Sequence, residues 1–153
     1  MLVLPWFSKL NFIWGGTTQY KSQIASGNNL PIRGNVFLSI DDSNKNRLLP
    51  IAKKLKKLNF KLIATKGTRN FLQKNKLDVT LVNKVKEGSP HIVDSLLLGK
   101  INLVINTTKT QNSLRDSYSI RRTSLMNNIP YYTTMAGAKV AVDAIEILKK
   151  NKL

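Results

Sequence analysis

The chain has 153 residues, of which 42% are hydrophobic, and no apolar run reaches the roughly 18 residues that a membrane helix needs, so the sequence predicts one globular domain without a transmembrane helix. The absence of cysteine and the presence of a single histidine, His91, exclude disulfides, thiolate nucleophiles and zinc sites built from cysteine or several histidines, and both are compatible with a cytoplasmic location. With 25 Lys and Arg against 8 acidic residues, the formal net charge of +17 predicts an anionic ligand or partner.

The amino-terminal residues differ in composition from the rest of the chain. Residues 1–17 contain both tryptophans and show neither helical nor strand periodicity, and they lack the continuous apolar stretch and small-residue cleavage site of a signal peptide. All acidic residues lie after position 40. We interpret residues 1–17 as an unmatched, poorly ordered segment, residues 18–33 as a linker and residues 34–150 as the folded domain.

From residue 35 onwards, short apolar runs alternate with amphipathic stretches. Asn35 to Ile40 has the length of a buried strand, Asp41-Asp42-Ser43 is an N-cap cluster, and the leucines that follow are spaced as in a helix. Four further pairs of strand and helix are predicted: Phe60 to Ala64 with Thr68 to Lys74, Val79 to Val82 with Pro90 to Leu98, Leu103 to Ile105 with Ser113 to Met126, and Tyr131 to Thr133 with Ala136 to Lys149. The predicted fold is therefore an α/β, doubly wound (Rossmann-like) three-layer domain with a five-stranded, mainly parallel sheet.

Polar residues follow every predicted strand. In chain order they are Ser39, Thr65-Lys66-Gly67-Thr68, Asn83-Lys84, Asn106-Thr107-Thr108 and Thr133-Thr134. Because ligands of open parallel sheets bind outside the carboxyl ends of the strands, where helix N-termini also present free N–H groups, this polar rim predicts a site for a phosphate or a carboxylate. The alternative is that the Ser and Thr residues only cap helices, which explains single positions better than the repetition at five strand ends.

The segment 65–68 carries the sharpest single signal. Gly67 would permit a tight turn between strand and helix, so that backbone N–H groups approach an anion while Thr65 and Thr68 offer hydroxyls from either side. The segment is neither a Walker sequence nor a dinucleotide-binding loop, and an ordinary turn explains it equally well.

Candidate catalytic residues are few. His91 lies near a helix start, where it either contacts a ligand or caps the turn, and Asp41 and Asp42 are explained better as a helix N-cap than as a general base. No constellation of Ser, His and Asp can be assembled, so no catalytic residue is assigned. Arg121 and Arg122 are expected to face a partner domain or water.

Many of the basic residues have a simpler explanation than nucleic-acid binding. Two helix-like stretches contain lysines without interleaved aromatic residues: Lys53, Lys54, Lys56, Lys57, Lys149, Lys150 and Lys152. Because proteins that bind nucleic acid by stacking need such aromatic residues, we interpret these lysines as a solvated surface. Nucleic-acid binding stays an alternative that the net charge alone supports.

Six sequence stretches occur in an order that points to a known family. They are FLSIDD at 37–42, ATKGT at 64–68, LVNKVKEGSPHIVD at 81–94, LVINTT at 103–108, DSYSIRR at 116–122 and YYTTMAGA at 131–138. Together they resemble the methylglyoxal-synthase-like domain, and within that family the C-terminal allosteric domain of the large chain of glutamine-dependent carbamoyl phosphate synthetase. Residues 20–31 are similar to the tail of the synthetase region that precedes this domain.

The resemblance implies an effector-binding module of a ligase of pyrimidine and arginine biosynthesis. In such domains uridylate (UMP) as inhibitor or inosinate (IMP) as activator lies across the strand ends, and ornithine acts near the junction with the neighbouring domain. The positions that match residues holding the nucleotide and its phosphate are Lys45, Thr65, Thr68, Lys84, Asn106 and Thr108. Lys66, Gly67 and Thr107 join this candidate set from the polar rim, and Thr133 matches a position near the ornithine site. The implied partners are the remaining domains of the large chain and its glutaminase small chain, and a homo-oligomer is left open.

The chain departs from the family pattern at positions that bear on function. The family usually reads V-H-E-G-R-P-H-I where residues 85–92 read VKEGSPHI, and a basic pair often follows LVINTT where residues 109–112 read KTQN. Methylglyoxal synthases need a catalytic aspartate around Ser89 and a histidine beside the first strand, where this chain has Ser39 and Ile40. A lyase acting on dihydroxyacetone phosphate is therefore the less favoured alternative.

Synthetase chemistry depends on two ATP-grasp halves, which 153 residues cannot contain. We therefore expect that this chain alone does not make carbamoyl phosphate, and we interpret it as a fragment of a longer large chain.

Overall fold

A computed structural model describes residues 30–84, 87–107 and 111–151, without the side chains of residues 111–113. The predictions for residues 1–17 and for most of the linker 18–33 lie outside the described residues. The described elements are β1 (Asn35–Ser39), α1 (Lys45–Lys57), β2 (Lys61–Ala64), α2 (Lys66–Lys74), β3 (Thr80–Leu81), α3 (Ile92–Leu97), β4 (Leu103–Asn106), α4 (Gln111–Met126), β5 (Tyr131–Tyr132) and α5 (Met135–Asn151), with a short 3-10 helix at Asp42–Asn44. Their ends differ from the predicted ends by one or two residues, as helix and strand termini usually do. Among the described helices, none has both the length and the apolar character needed to cross a bilayer.

The five strands form one sheet in the order β3-β2-β1-β4-β5, and every pair of neighbouring strands is parallel. This arrangement confirms the predicted α/β doubly wound fold. The chain builds one half of the sheet outwards from β1 to β3 and then crosses to β4 and β5 on the other side of β1. The order of the strands therefore reverses between β1 and β4.

The two central strands are buried because helices cover both faces of the sheet. All four residues of β4 are buried, and the three middle residues of β1 are fully buried, whereas both residues of the edge strand β3 are exposed. Apolar side chains that point to alternate faces fill two separate cores. Leu38 packs with α1, α2 and α5 on one face, and Phe37 packs with α3 and α4 on the other.

An ion-pair network joins α1 to α5 and corrects part of the sequence interpretation. Lys54 was expected only to solvate the surface, but its ammonium pairs with the carboxylate of Asp143 and lies 3.4 Å from that of Glu146. Partial burial lowers the pKa of Lys54, but the hydrogen bond and charge of Asp143, together with Glu146, outweigh this and raise it. Lys149 also contacts protein, since it donates to the carbonyl of Leu58. Lys54 and Lys149 thus connect α1 with α5, which pack on the same face of the sheet.

Gly34, the residue before β1, has a backbone conformation and surroundings that only glycine fits. Its φ of +120° is one that L side chains rarely adopt, and a Cβ at this position would lie 2.0 Å from the side-chain oxygen of Asn102. That oxygen accepts a hydrogen bond from the backbone N–H of Asn35 at 2.9 Å. The hydrogen bond between Asn35 and Asn102 holds the start of β1 beside the residue that precedes β4. The two strands then run in parallel, so their carboxyl ends also lie side by side.

Candidate functional site

The carboxyl ends of β1 and β4 lie side by side at the point where the strand order reverses. Ser39 at the end of β1 is opposite Asn106 at the end of β4 in the parallel register. The helices that follow the two strands pack on opposite faces of the sheet, because α1 belongs to one core and α4 to the other. Such a reversal opens a crevice at the carboxyl edge, which is where ligands of doubly wound sheets bind.

A cavity of about 270 Å³ occupies this crevice. Among its lining residues are these members of the predicted set: Lys45, Thr65, Gly67, Thr68, Lys84, Asn106 and Thr107. They come from the ends of several strands and the starts of two helices, so residues that are far apart in the sequence line the same cavity. Four of the five predicted strand ends, those of β1 to β4, therefore contribute residues to a single cavity.

Three residues of the predicted set are not placed in this cavity. Lys66 is exposed and is not among the lining residues, although its neighbours Thr65 and Gly67 are. Thr133, expected near a second site, is also exposed and lies outside the cavity at the edge of the sheet. Thr108 falls outside the described residues.

The first turn of α2 borders the cavity. Thr65 is the N-cap residue of α2, with an extended backbone (φ −67°, ψ 159°), but its side chain makes no capping hydrogen bond. The first backbone N–H groups of a helix have no partner within the helix, so a ligand can use both these amides and the uncommitted hydroxyl of Thr65. Gly67 lies inside the helix and not in the tight turn that the sequence analysis expected. A Cβ on it would lie 3.6 Å from the ammonium of Lys45, which shows how close that cation is to the helix start.

Two lysines and three carboxylates set the charge of the cavity. Lys45 and Lys84 line it together with Asp41, Asp42 and Asp116, which the sequence analysis did not assign to the site. The oxygens of Asp41 accept hydrogen bonds from the 3-10 helix that it caps, so this carboxylate is already satisfied. Asp42 pairs with Lys45 across one turn. The cavity is therefore less positive than its lysines alone suggested.

Asp116 reaches the cavity from α4 and is only 8% exposed. Ser117 and Ile120 line the same wall, so one face of α4 borders the ligand space. The spacing of Asp116, Ile120 and Ser124, all buried, is the helical signal that could have predicted this face. The sequence alone did not show that α4 lies against the end of β1.

Asn106 is held in place by two neighbouring side chains. Its amide nitrogen donates to the hydroxyl of Ser117 at 3.0 Å and to that of Tyr131 at 2.9 Å. The pKa of Tyr131 is raised, because the effect of burial exceeds the opposing effects of the hydrogen bond from Asn106 and the charge of Arg121. Tyr131 thus stays a neutral phenol and fixes the orientation of the amide at the end of β4.

Thr68 and Thr107 support the backbone that follows β1. The hydroxyl of Thr68 accepts a hydrogen bond from the N–H of Ile40 at 3.0 Å, and the hydroxyl of Thr107 accepts one from the N–H of Asp41 at 2.9 Å. Thr68 is 1% exposed, so this bond lies inside the protein. Both threonines therefore shape the wall of the cavity.

Replacing Thr68 by valine tests this supporting role. The Thr68→Val variant keeps the shape of the side chain but leaves the buried N–H of Ile40 without its acceptor, which is expected to reduce the free energy of unfolding by about 1–3 kcal/mol. Urea denaturation measures this loss. The matched substitution Thr80→Val, at an exposed position of β3, is expected to change stability by less than about 0.5 kcal/mol. Equal stability of the two variants would contradict the role assigned to Thr68.

His91 occupies the N-cap position of the helix that borders the cavity, but its imidazole makes no capping hydrogen bond within the described residues, so neither sequence interpretation of this side chain is confirmed. It is the N-cap residue of α3, and its backbone N–H donates to the carboxylate of Asp94 at 2.9 Å, to which Ser89 also donates at 2.8 Å. The hydrogen bonds from His91 and Ser89 lower the pKa of Asp94. The neighbouring residue Ile92 lines the cavity, so the cap fixes an apolar part of its wall.

A second, larger cleft of about 500 Å³ lies between α1 and α5. Its lining is mainly apolar, with Ile51, Met135 and Val142 among its residues, and its polar groups include the ion pair of Lys54 and Asp143. The first residues of α5, Met135 and Ala136, line it, but no strand end does. The smaller cavity is therefore the better candidate for a charged ligand.

The fold and the cavity define a doubly wound α/β domain with an open polar site at the reversal of strand order. The profile of the MGS-like domain matches residues 47–133, more than half of the chain. The chain therefore belongs to the MGS-like domain family, as the sequence motifs indicated.

The chain is also similar to curated relatives from archaea and bacteria. It is 44% identical over 136 residues to the "Carbamoyl phosphate synthase large chain, C-terminal section" of Methanopyrus kandleri, which covers 88% of this chain and 25% of the relative. It is 47% identical over 133 residues to the "Carbamoyl phosphate synthase large chain" of Brucella suis, which covers 87% of this chain and 11% of the relative. A further relative, the C-terminal section from Aquifex aeolicus, is 42% identical over 137 residues, which covers 90% of this chain and 26% of the relative. The chain thus spans about a quarter or less of these relatives.

Proposed function

We propose that this domain is the effector-binding module of a carbamoyl phosphate synthetase large chain, and that its cavity holds the phosphate of a nucleoside monophosphate. The chain matches a quarter or less of these relatives' length, so catalysis of carbamoyl phosphate formation would belong to other parts of such a protein. In this proposal the partners are those remaining domains and, through them, a glutaminase small chain.

The arrangement around the start of α2 supports this proposal most directly. One cavity is lined by an N-cap threonine that does not cap its helix, by the first turn of α2 and by Lys45. The amides and the hydroxyl supply neutral donors, and the lysines supply charge-assisted ones, which is the donor set that phosphate oxygens prefer. A helix that had only to be stable would use the hydroxyl of Thr65 as its own cap.

The rest of the cavity suits the nucleoside part of such a ligand. Ile40, Ile92 and Ile120 give the wall an apolar area, and Asp116 and Ser117 offer oxygens to ribose hydroxyls or base N–H groups. Its volume of about 270 Å³ is near the lower end of the range for small-molecule sites. We propose uridylate and inosinate as the ligands to test first. Ornithine would act at a separate place near Thr133, which is exposed beside the start of α5.

The lyase alternative receives less support from the cavity. A methylglyoxal synthase was expected to need a histidine beside the first strand, and the lining residues at that place are Ser39 and Ile40. His91, the single histidine of the chain, is the N-cap residue of α3 and is not among the lining residues. We therefore propose binding, and not conversion, of a phosphorylated molecule. A direct assay of methylglyoxal formation from dihydroxyacetone phosphate checks this choice.

Thermal melts in the presence of uridylate, inosinate and ornithine test the proposed function. A ligand that binds only the folded state stabilises it by RT ln(1 + [L]/Kd), about 2.7 kcal/mol at a hundredfold excess over Kd. We expect uridylate or inosinate at millimolar concentration to raise the midpoint of unfolding by several degrees, whereas uridine at the same concentration raises it much less because it lacks the phosphate. If neither nucleotide shifts the midpoint, the proposed function is wrong.

A further inference from the structure

Lys45 lies in an electrostatically unfavourable place when no anion is bound. Its ammonium is close to Gly67 in the first turn of α2, since a Cβ at that residue would lie 3.6 Å from it. The N-terminus of a helix carries a partial positive charge, which repels a nearby cation. The side chain of Lys45 is also only 20% exposed, so water screens this repulsion incompletely. A negative charge beside Lys45 would offset this repulsion.

Asp42 supplies a negative charge beside Lys45. Its carboxylate forms an ion pair with Lys45 three residues further along, and both residues line the cavity. The neighbouring Asp41 is committed differently, because its oxygens accept hydrogen bonds from Asn44. The side chain of Asp42 is 93% exposed, so it can leave Lys45 and return to water without losing hydration.

We infer that Asp42 is an internal competitor of the ligand: it pairs with Lys45 and is displaced from it by an incoming phosphate. This inference rests on the proposed function, and it concerns the affinity of the same site. A ligand with a single negative charge only replaces the charge that Asp42 already provides. A phosphate monoester in its dianionic form brings a second charge, which the amides of α2 and Lys84 can accept. The ligand class is therefore a dianionic phosphate monoester.

The inference predicts that removing the charge of Asp42 increases affinity. The Asp42→Asn variant is expected to bind methyl phosphate about three- to fivefold more tightly than the unchanged chain, in line with the modest strength of an exposed ion pair. The probes are methyl phosphate, a dianion well above its second pKa of about 6, and dimethyl phosphate, which carries one charge. Chemical-shift titrations at constant ionic strength measure both, and we expect the unchanged chain to prefer methyl phosphate.

A double-mutant cycle separates competition from simple charge repulsion. If Asp42 competes for Lys45, Asp42→Asn improves binding of both probes by the same factor, and the gain disappears in a Lys45→Met background. Repulsion alone would improve binding of the dianion more and would persist without Lys45, which would overturn the inference. The matched control is Asp78→Asn, which removes the same charge at an exposed position before β3 and is not a lining residue. We expect it to leave both affinities unchanged.

The remaining outcomes distinguish this inference from the proposed function. If the unchanged chain binds methyl phosphate and Asp42→Asn binds it equally well, the competitor role is wrong and the phosphate site stands. If Asp42→Asn binds and the unchanged chain does not, the competitor role is supported. If no variant binds either probe, or uridylate, the cavity is not a phosphate site and both proposals fail.

Discussion

A double variant, Thr65→Ala with Lys84→Ala, is expected to bind uridylate about a hundredfold more weakly than the unchanged chain. Each single variant is expected to bind it about tenfold more weakly, because a hydrogen bond to a charged oxygen contributes about 1.5–3 kcal/mol. The two residues follow different strands, β2 and β3, and share no hydrogen-bond partner in the described structure. Effects at such independent positions usually add. Isothermal titration calorimetry on all four proteins measures the affinities.

This experiment separates binding from stability. The hydroxyl of Thr65 does not cap α2, so its removal is expected to leave the unfolding midpoint without ligand nearly unchanged. Lys84 is exposed, and its side chain can likewise be shortened without opening the core. Thr133→Ala is the matched control, because Thr133 is an exposed threonine after a strand that does not line the cavity. Unchanged uridylate affinity in the double variant would show that the nucleotide binds elsewhere.

The layered fold could be predicted from the sequence because each element carries its own signal. Runs such as Leu103-Val104-Ile105 are apolar on both faces, which indicates a strand between two helical layers. The order of the strands carries no comparable local signal, since it depends on which way each connection crosses the sheet. The sequence therefore predicted a doubly wound sheet without showing that β4 pairs with β1.

The same missing information limited the prediction of the site. Residues that directly follow strands, such as Thr65 and Asn106, could be predicted because all carboxyl ends of a parallel sheet lie at one edge. Asp116 lies on a helix, and only the pairing of β4 with β1 brings α4 over the cavity. Lys66 was predicted from its neighbours in sequence, but residues next to each other in a helix do not share a face. The expected tight turn at Gly67 was wrong, because the helix already starts at Lys66, although Gly67 does line the cavity.

Phe37 is the residue whose loss is expected to damage the fold most. It lies at the centre of β1, in register with Ile63 on one side and Val104 on the other, and no part of it is exposed. Replacing such a buried Phe by Ala removes its apolar surface and leaves a cavity that the neighbours fill incompletely. The Phe37→Ala variant is therefore expected to lose about 3–5 kcal/mol, a large part of the roughly 5–15 kcal/mol that stabilises a typical domain.

The effect of Phe37→Ala should extend to the ligand site, because Ile92 and Ile120 pack in the same core as Phe37 and also line the cavity. Urea denaturation gives the loss of stability, and calorimetry with uridylate shows whether the loosened wall also weakens binding. Leu125→Ala is the matched control, since this side chain is 60% exposed and its truncation is expected to change stability by less than about 0.5 kcal/mol. If Phe37→Ala lowered the free energy of unfolding by less than about 1 kcal/mol, the core beneath the cavity would have closed around the missing ring. The shape of the cavity wall would then depend on the N-cap residues His91 and Asp41 instead.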